Sequence, residues 1–235
     1  MLSVRKHWML DELKHAGPEH LDTGFVAGYN RKQGFPDPTE DIGILRKHGL
    51  GETSTIVDIG AGTGQFALDA ARVFGRVIAV DVSPAMLAHV RARAADADLP
   101  RLECVQGGFL TYEHTGPPAD AVFTRNALHQ LPDFWKAVAL QRVAGMMRPG
   151  GVLRLRDLIY SFEPQEIDSV FERWFAGAAE DPAAGYTSDD YVEHIQNEHS
   201  TFSWLLEPLL DRCGFDIVES DLSGLVFGSY TCIRR

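Results

Sequence analysis

From Thr55 onward the chain alternates short β-branched runs with longer amphipathic stretches, a rhythm that predicts parallel strands joined by helices. Thr55–Ile59 reads as the first strand. Apolar Phe66, Ala67, Ala70, Ala71 and Phe74 then recur at helical spacing, which predicts a crossover helix over residues 64–74. Residues 76–80 are a second strand. Ser83-Pro84 supplies an N-cap and a proline at the first helical position, opening a helix that runs to about Ala95. Residues 102–106 and 121–124 are the next apolar runs, separated by the Gly/Pro-rich link at 115–118, and read as strands three and four. A helix over 133–147 leads to a turn at Arg148-Pro-Gly-Gly151, which delivers strand five at 152–158.

Residues 160–200 break this rhythm. They are polar and aromatic, show no clear strand, and are expected to form an insertion that covers the sheet edge as a lid. Residues 201–213 predict a last helix, closed by Gly214 at the C′ position. Residues 215–220 and 224–233 predict two closing strands in a hairpin. Residues 1–50 carry a weaker helical pattern, broken at Gly17-Pro18 and near Pro36 and Pro38, and read as an N-terminal cap of one domain spanning 51–235.

Composition narrows the function. The 235 residues carry a formal net charge of −11, which repels a phosphate backbone and disfavours a nucleic-acid partner. No run approaches the roughly 20 apolar residues that span a bilayer, and no signal-peptide pattern opens the chain, so a cytoplasmic protein without membrane partners is expected. Cys104, Cys213 and Cys232 lie far apart, without zinc-type or redox pairing, and read as reduced core residues. Oligomeric state leaves no mark in the sequence.

The sharpest local signal is Val57-Asp58-Ile59-Gly60-Ala61-Gly62-Thr63-Gly64, where an apolar strand turns tightly into a helix. Glycines there let the backbone approach a ligand or simply make the turn. Gln65 stands where a dinucleotide fingerprint wants its third glycine, which disfavours a nicotinamide oxidoreductase. Asp81 closes strand two, 21 positions after Gly60, where a carboxylate can accept from ribose hydroxyls.

The loop, Asp81-Val-Ser-Pro-Ala-Met86, Asp120-Ala-Val-Phe-Thr-Arg-Asn-Ala-Leu-His-Gln-Leu131 and Arg148-Pro-Gly-Gly151 follow one another as in the class I S-adenosylmethionine-dependent methyltransferase family, which this sequence resembles over roughly residues 25–234. The resemblance implies an α/β, Rossmann-like, doubly wound seven-strand sheet whose last strand runs antiparallel, with the helical cap and the lid inserted after strand five. It implies S-adenosyl-L-methionine as cofactor and methylation of a small organic acceptor at oxygen, nitrogen or carbon. Gly60, Ala61 and Gly62 would face the amino-acid part of the cofactor, Asp81 the ribose, and Val82 and Met86 the adenine. Asp58 would order the loop, and the main chain near Arg125 would accept from the cofactor's ammonium. Tyr29, in Val26-Ala-Gly-Tyr-Asn30, resembles the N-terminal tyrosine that closes over the cofactor; core packing of a cap helix is its other reading. The sequence departs from the family after strand three, where an acid often meets the adenine amino group. Here the stretch is Gln106-Gly-Gly-Phe109, so adenine would rely on backbone at Gly108 and on stacking against Phe109.

For chemistry, methyl transfer needs chiefly alignment, and a base only when the acceptor must lose a proton. His129, following strand four, is the candidate catalytic base; a helix cap or pocket-wall imidazole is the alternative. Asp157, ending strand five, could orient a base or cap a turn. Glu193, His194, Glu198 and His199 suggest a metal cluster, but histidines five apart do not match a helical i,i+4 pair, so no metal is expected and these side chains are read as bordering the acceptor pocket with Trp174 and Tyr186. A non-catalytic S-adenosylmethionine-binding module remains the alternative to an enzyme.

Overall fold

The computed structural model describes residues 6–16, 23–32 and 36–235. The cap contributes α1 (Glu12–His15), α2 (Thr23–Lys32) and α3 (Thr39–Lys47). There follow β1 (Thr55–Ile59), α4 (Gln65–Ala70), β2 (Arg76–Asp81), α5 (Pro84–Asp96), β3 (Leu102–Gln106) and β4 (Ala119–Arg125). The second half holds α6 (Asp133–Met146), β5 (Met147–Tyr160), α7 (Ile167–Phe175), α8 (Ser188–Asn197), β6 (Thr201–Phe202), α9 (Ser203–Arg212), β7 (Phe215–Asp221) and β8 (Phe227–Arg234). Among the described residues no helix is long and apolar enough to cross a membrane.

The sheet order is β3-β2-β1-β4-β5-β8-β7, with β6 pairing β5 off this path. β1 is parallel to both β2 and β4, and β8 runs antiparallel to both β5 and β7. The doubly wound expectation and the antiparallel last strand therefore hold. The eighth strand, the two-residue β6, was not anticipated: residues 201 and 202 pair with Ile159 and Tyr160 before α9 begins at Ser203.

Alternation along the strands feeds two apolar layers. Val57, Ile59, Val122, Leu153 and Leu155 face α6 and α9 through Leu140, Val143, Leu206 and Leu210. Ile56, Val77, Ala121 and Phe123 face Ile42, Leu45, Phe66 and Ala67 on the other side. The Phe66 and Phe123 rings stack with centroids 3.8 Å apart. Removing each such large side chain from water contributes about 1.5–3 kcal/mol. Besides these contacts, α3 is fixed to the sheet by charge: Asp41, fully buried, accepts from Arg154 Nε at 2.8 Å and Arg156 Nη1 at 3.1 Å.

Three boundaries move. The crossover helix α4 stops at Ala70, and residues 72 and 73 continue in tighter i→i+3 bonds to Asp69 and Ala70. Just beyond, Gly75 lies so close to the Glu52 carbonyl that no side chain fits there. Strand five begins at Met147 and absorbs the expected turn, because a register shift between Ala119 and Ala121 lets β4 pair with both Met147 and Val152. Residues 160–200, expected as an insertion with no clear strand, hold α7 and α8. Their rings build a third cluster in which Tyr160, Phe162, Phe171, Trp174 and Phe202 pack together.

Candidate active site

The strand order reverses between β1 and β4, and a cleft opens beyond the carboxyl ends of β1, β2 and β4, where this architecture places ligands. It has two adjoining lobes, of about 700 and 470 Å³ of empty space, which share Tyr29, Gly60, Gly62, Arg125 and Asn126. Asp81, Val82, Met86, Gly108 and Phe109 line the larger lobe; Asp58 and Ala61 line the smaller. All the residues singled out for the cofactor thus border one continuous cleft.

The glycine turn is built for close approach. Gly60, Gly62 and Gly64 all have positive φ, and a Cβ on Gly60 would collide with the Ala127 side chain, whereas on Gly62 it would stand 3.7 Å from the Tyr29 ring. Asp81 braces the turn, its Oδ2 accepting from Gly62 N–H and its Oδ1 from Ser83 N–H, each at 2.8 Å. Ser83 caps α5 by accepting from Met86 N–H, with Pro84 at the first helical position as expected. Beneath the loop, burial and the neighbouring Asp81 push the Asp58 pKa well above its ordinary value. Asn30 accepts from the Thr63 hydroxyl and Lys32 bonds Asp190 at 2.7 Å, so α2 ties the loop to α8 across the mouth of the cleft.

A lining carboxylate escaped the sequence reading. Glu12, from α1, places its carboxylate against Gly108, accepting from Leu110 N–H at 3.1 Å and the Thr111 hydroxyl at 3.0 Å. A carboxylate therefore does stand after strand three, supplied from the cap. Glycine at 108 is what admits it: a Cβ there would lie 2.7 Å from Glu12 Cδ. Burial pushes the Glu12 pKa up in spite of these hydrogen bonds. A single glutamate so far along the chain from Gly108 carries no local motif.

His129 departs from the expected base. Gln130 and Leu131 line the cleft, but His129 lies behind them, buried. Its Nδ1 is bonded to Asp157 Oδ1, and its Nε2 is 3.0 Å from Glu198 Oε2 and 3.1 Å from Gln130 Nε2. Burial alone would lower its pKa, yet the two carboxylates outweigh that and push it up to about 10. Both carboxylates thus favour the protonated imidazole over the neutral ring that a general base requires. Asp157 both orients this ring and caps the turn, its Oδ2 accepting from Leu128 N–H at 2.8 Å. Of the four side chains weighed as a cluster, His194 and Glu198 converge on His129, with His194 Nδ1 close to Glu198 Oε2. His199 instead donates its backbone N–H to the His129 carbonyl and turns its ring toward His15. Trp174 meets His194 edge-on at 6.1 Å, while Tyr186 stacks on Tyr191.

A glycine turn and a strand-end acid at the switch point of a doubly wound sheet define a Rossmann-like domain for a nucleotide-bearing cofactor. Residues 56–151 match the family described as "Methyltransferase domain". The chain is 33% identical over 124 residues to acetylserotonin O-methyltransferase of Mus musculus, covering 50% of this chain and 32% of that one. It is 39% identical over 102 residues to trans-aconitate 2-methyltransferase of Methylobacterium radiotolerans, covering 43% and 36%. The matched stretches thus span about a third of these curated relatives. In fold it resembles magnesium protoporphyrin IX methyltransferase from Synechocystis PCC 6803, with TM-score 0.66, 13% identity, and 98% and 100% of the two chains covered. Residues 56–151 are thus matched as a methyltransferase domain, and the whole chain resembles the class I S-adenosylmethionine-dependent methyltransferases in fold.

Proposed function

We propose that this protein transfers a methyl group from S-adenosylmethionine to an oxygen, nitrogen or carbon of a small organic acceptor. The observation that carries the reading is the continuous two-lobed cleft in which the positive-φ glycine turn and Asp81 meet. When bound, the cofactor supplies an electrophilic methyl on a sulfonium whose departure leaves a neutral thioether.

The chain's own residues fit that group. Each carboxylate oxygen accepts up to two hydrogen bonds, so Asp81 can brace Gly62 and Ser83 and still receive ribose hydroxyls. Val82, Met86 and Phe109 offer apolar faces to the adenine, with the Glu12 carboxylate at its edge. Arg125 brings a cation to the lobe beside the glycine turn, matching a carboxylate, and Asp58 lines the same lobe under the turn. Residues 51–235 form the catalytic domain, residues 1–50 its cap and residues 160–200 its lid, with Lys32–Asp190 as one latch between cap and lid. Catalysis is chiefly alignment, since holding two reactants in line supplies most of what this displacement needs. The small-molecule acceptor is supported by relatives named for acetylserotonin and trans-aconitate.

Calorimetric titration of the full chain with S-adenosylmethionine tests the pocket. Asp81→Ala should weaken binding by about 10- to 100-fold, the weight of roughly 1.5–3 kcal/mol for hydrogen bonds to a charged group. Unchanged affinity would overturn the assignment of Asp81. A screen of phenols, amines and carboxylates with labelled cofactor then tests transfer itself, and binding without turnover of any of them would favour a non-catalytic module.

A further inference from the structure

Behind the cleft wall, three side chains from two segments point their donor atoms at one another: His129 from the turn after β4, and His194 and Glu198 from the last turn and C-cap of α8. One ligand atom from each lies within 4.8 Å of the others. An ion with bonds of about 2.0–2.2 Å separates its ligand atoms by roughly 3–4 Å; His129 Nε2 stands 3.0 Å from Glu198 Oε2, whereas His194 Nδ1 lies closer to that oxygen than this and must draw back to admit the ion. His194 and Glu198 are one helical turn apart, which puts them on the same face.

The surroundings do more than gather these atoms. The far nitrogen of each ring is held: His129 Nδ1 by Asp157, His194 Nε2 by Ser200 Oγ at 2.7 Å. A ring that donates through its far N–H presents a lone pair at the near nitrogen, which is how metal-ligating histidines are oriented. Asp157 is itself anchored by the Leu128 and Leu158 N–H groups, each at 2.8 Å. Glu198 Oε2 is buried, and although both near nitrogens are close to it, no donor among the described residues reaches it in hydrogen-bonding geometry. A pair of protonated imidazoles would satisfy that oxygen with aligned N–H groups. An ion between the three atoms needs no such alignment and neutralises the same two carboxylates.

We propose that His129 Nε2, His194 Nδ1 and Glu198 Oε2 form a binding site for a first-row divalent transition-metal cation. Two imidazoles and one carboxylate suit Zn²⁺, Fe²⁺ or Co²⁺ and are a poor match for Mg²⁺, which prefers oxygen. Three protein ligands leave coordination positions for an oxygen ligand such as water or an acceptor hydroxyl. Gln130, whose amide nitrogen is 3.1 Å from His129 Nε2, turns aside to admit the ion; since it also lines the cleft, the ion sits one side chain away from the cofactor lobe.

The test uses the full chain, stripped with chelator and titrated with Co²⁺ and Zn²⁺ without nucleotide, by calorimetry and by Co²⁺ visible absorption. One equivalent should bind the parent with the intense bands of a low-coordinate nitrogen and oxygen site. His194→Ala and Glu198→Gln should each weaken binding by at least about tenfold, since even outer-shell partners of metal ligands are worth 10- to 100-fold. His199→Ala, outside the ligand set, should bind like the parent. Parent-like far-UV circular dichroism and a cooperative urea transition report that a variant is folded, and should both ligand variants unfold, the parent alone decides. Substoichiometric binding or an aquo-ion spectrum in the parent overturns the site, as does parent-like affinity in either folded ligand variant. Because nucleotide is absent from the titration, failure here leaves the transferase reading standing, and failure of that reading leaves this site intact.

Discussion

The contact between Glu12 and Gly108 can be tested by a double-mutant cycle. Gly108 does not have positive φ, so an alanine there meets steric resistance only: its Cβ would run into Glu12 Oε1 and stand 2.8 Å from Val82 Cγ1. Overpacking of that kind costs about 1–3 kcal/mol. Glu12→Ala removes the acceptor that both Leu110 N–H contacts at 3.1 Å and the Thr111 hydroxyl at 3.0 Å rely on. A buried N–H left without a partner costs about 1–3 kcal/mol. If the effects were independent, the double variant would lose about 2–6 kcal/mol, the sum of these two. The structure says otherwise, because truncating Glu12 empties the space that the new Cβ needs. The pair should therefore be less destabilising than the sum by about 1 kcal/mol or more, within the range found for touching residues. Urea unfolding of the four proteins, read by tryptophan fluorescence and circular dichroism, gives the cycle directly. Additivity to within about 0.5 kcal/mol would show that the Glu12 carboxylate does not sit against Gly108. Each single variant should also weaken S-adenosylmethionine binding by about tenfold, roughly 1.4 kcal/mol, since both positions line the larger lobe.

Asp58 and Asp41 make contrasting cases. The folded-state pKa of Asp58 is raised above 3.8 by burial and by Asp81, so the folded protein holds a proton that the unfolded chain releases, and stability contributed at low pH is lost as pH rises through the folded value. Asp58→Asn should therefore gain on the parent as pH climbs from 3.8, with the difference levelling off above the folded pKa; urea midpoints that differ equally at every pH would contradict this. Asp41→Ala strands the buried Arg154 without its carboxylate and should cost about 3–5 kcal/mol in urea unfolding, whereas replacing both residues with apolar ones of similar volume should restore much of that loss. A loss below about 1 kcal/mol, the level of a surface pair, would contradict the buried assignment.

What the sequence made legible was local. The turn Gly60 to Gly64 and the Ser83-Pro84 cap are each written within a few consecutive residues, and their chemistry follows from backbone angle and one side-chain oxygen. The order of the strands came from resemblance, since alternation along a strand fixes which side chains face each layer and not which strand lies beside it. Glu12 was illegible because nothing in Asp11-Glu12-Leu13 encodes a partner near residue 110; only the fold brings them together. His129 follows strand four as expected, yet its protonation depends on Asp157 and Glu198, which the local sequence does not bring to it. The spacing argument compared His194 with His199, whereas the side chains the fold gathers are His194 and Glu198, four apart, with His129 from another segment. The region 160–200 looked irregular because its helices are short and rich in rings, although Phe171, Trp174 and Phe175 already carry helical spacing.

The cleft is assembled from two kinds of wall, and they differ in what holds them. The floor, made by the ends of β1, β2 and β4, rests on strands buried on both faces by apolar layers and shares the stability of the whole sheet. The roof contributed by α1 and α2 is fastened by polar links, Glu12 to Leu110 and Thr111, Asn30 to Thr63, Lys32 to Asp190, and by a few apolar contacts: Val26 is buried, Met9 and Leu10 pack against the core and Trp8 stacks on Trp135. The polar links exchange for water at little net cost, each worth about 0.5–1.5 kcal/mol. Lifting the roof therefore costs far less than unfolding the sheet, and a ligand bridging Asp81 below and Tyr29 or Glu12 above strengthens the contacts that close it. A cofactor that touches both walls would thus couple its binding to the fastening of the cap, while the sheet floor holds the geometry that aligns the reactants.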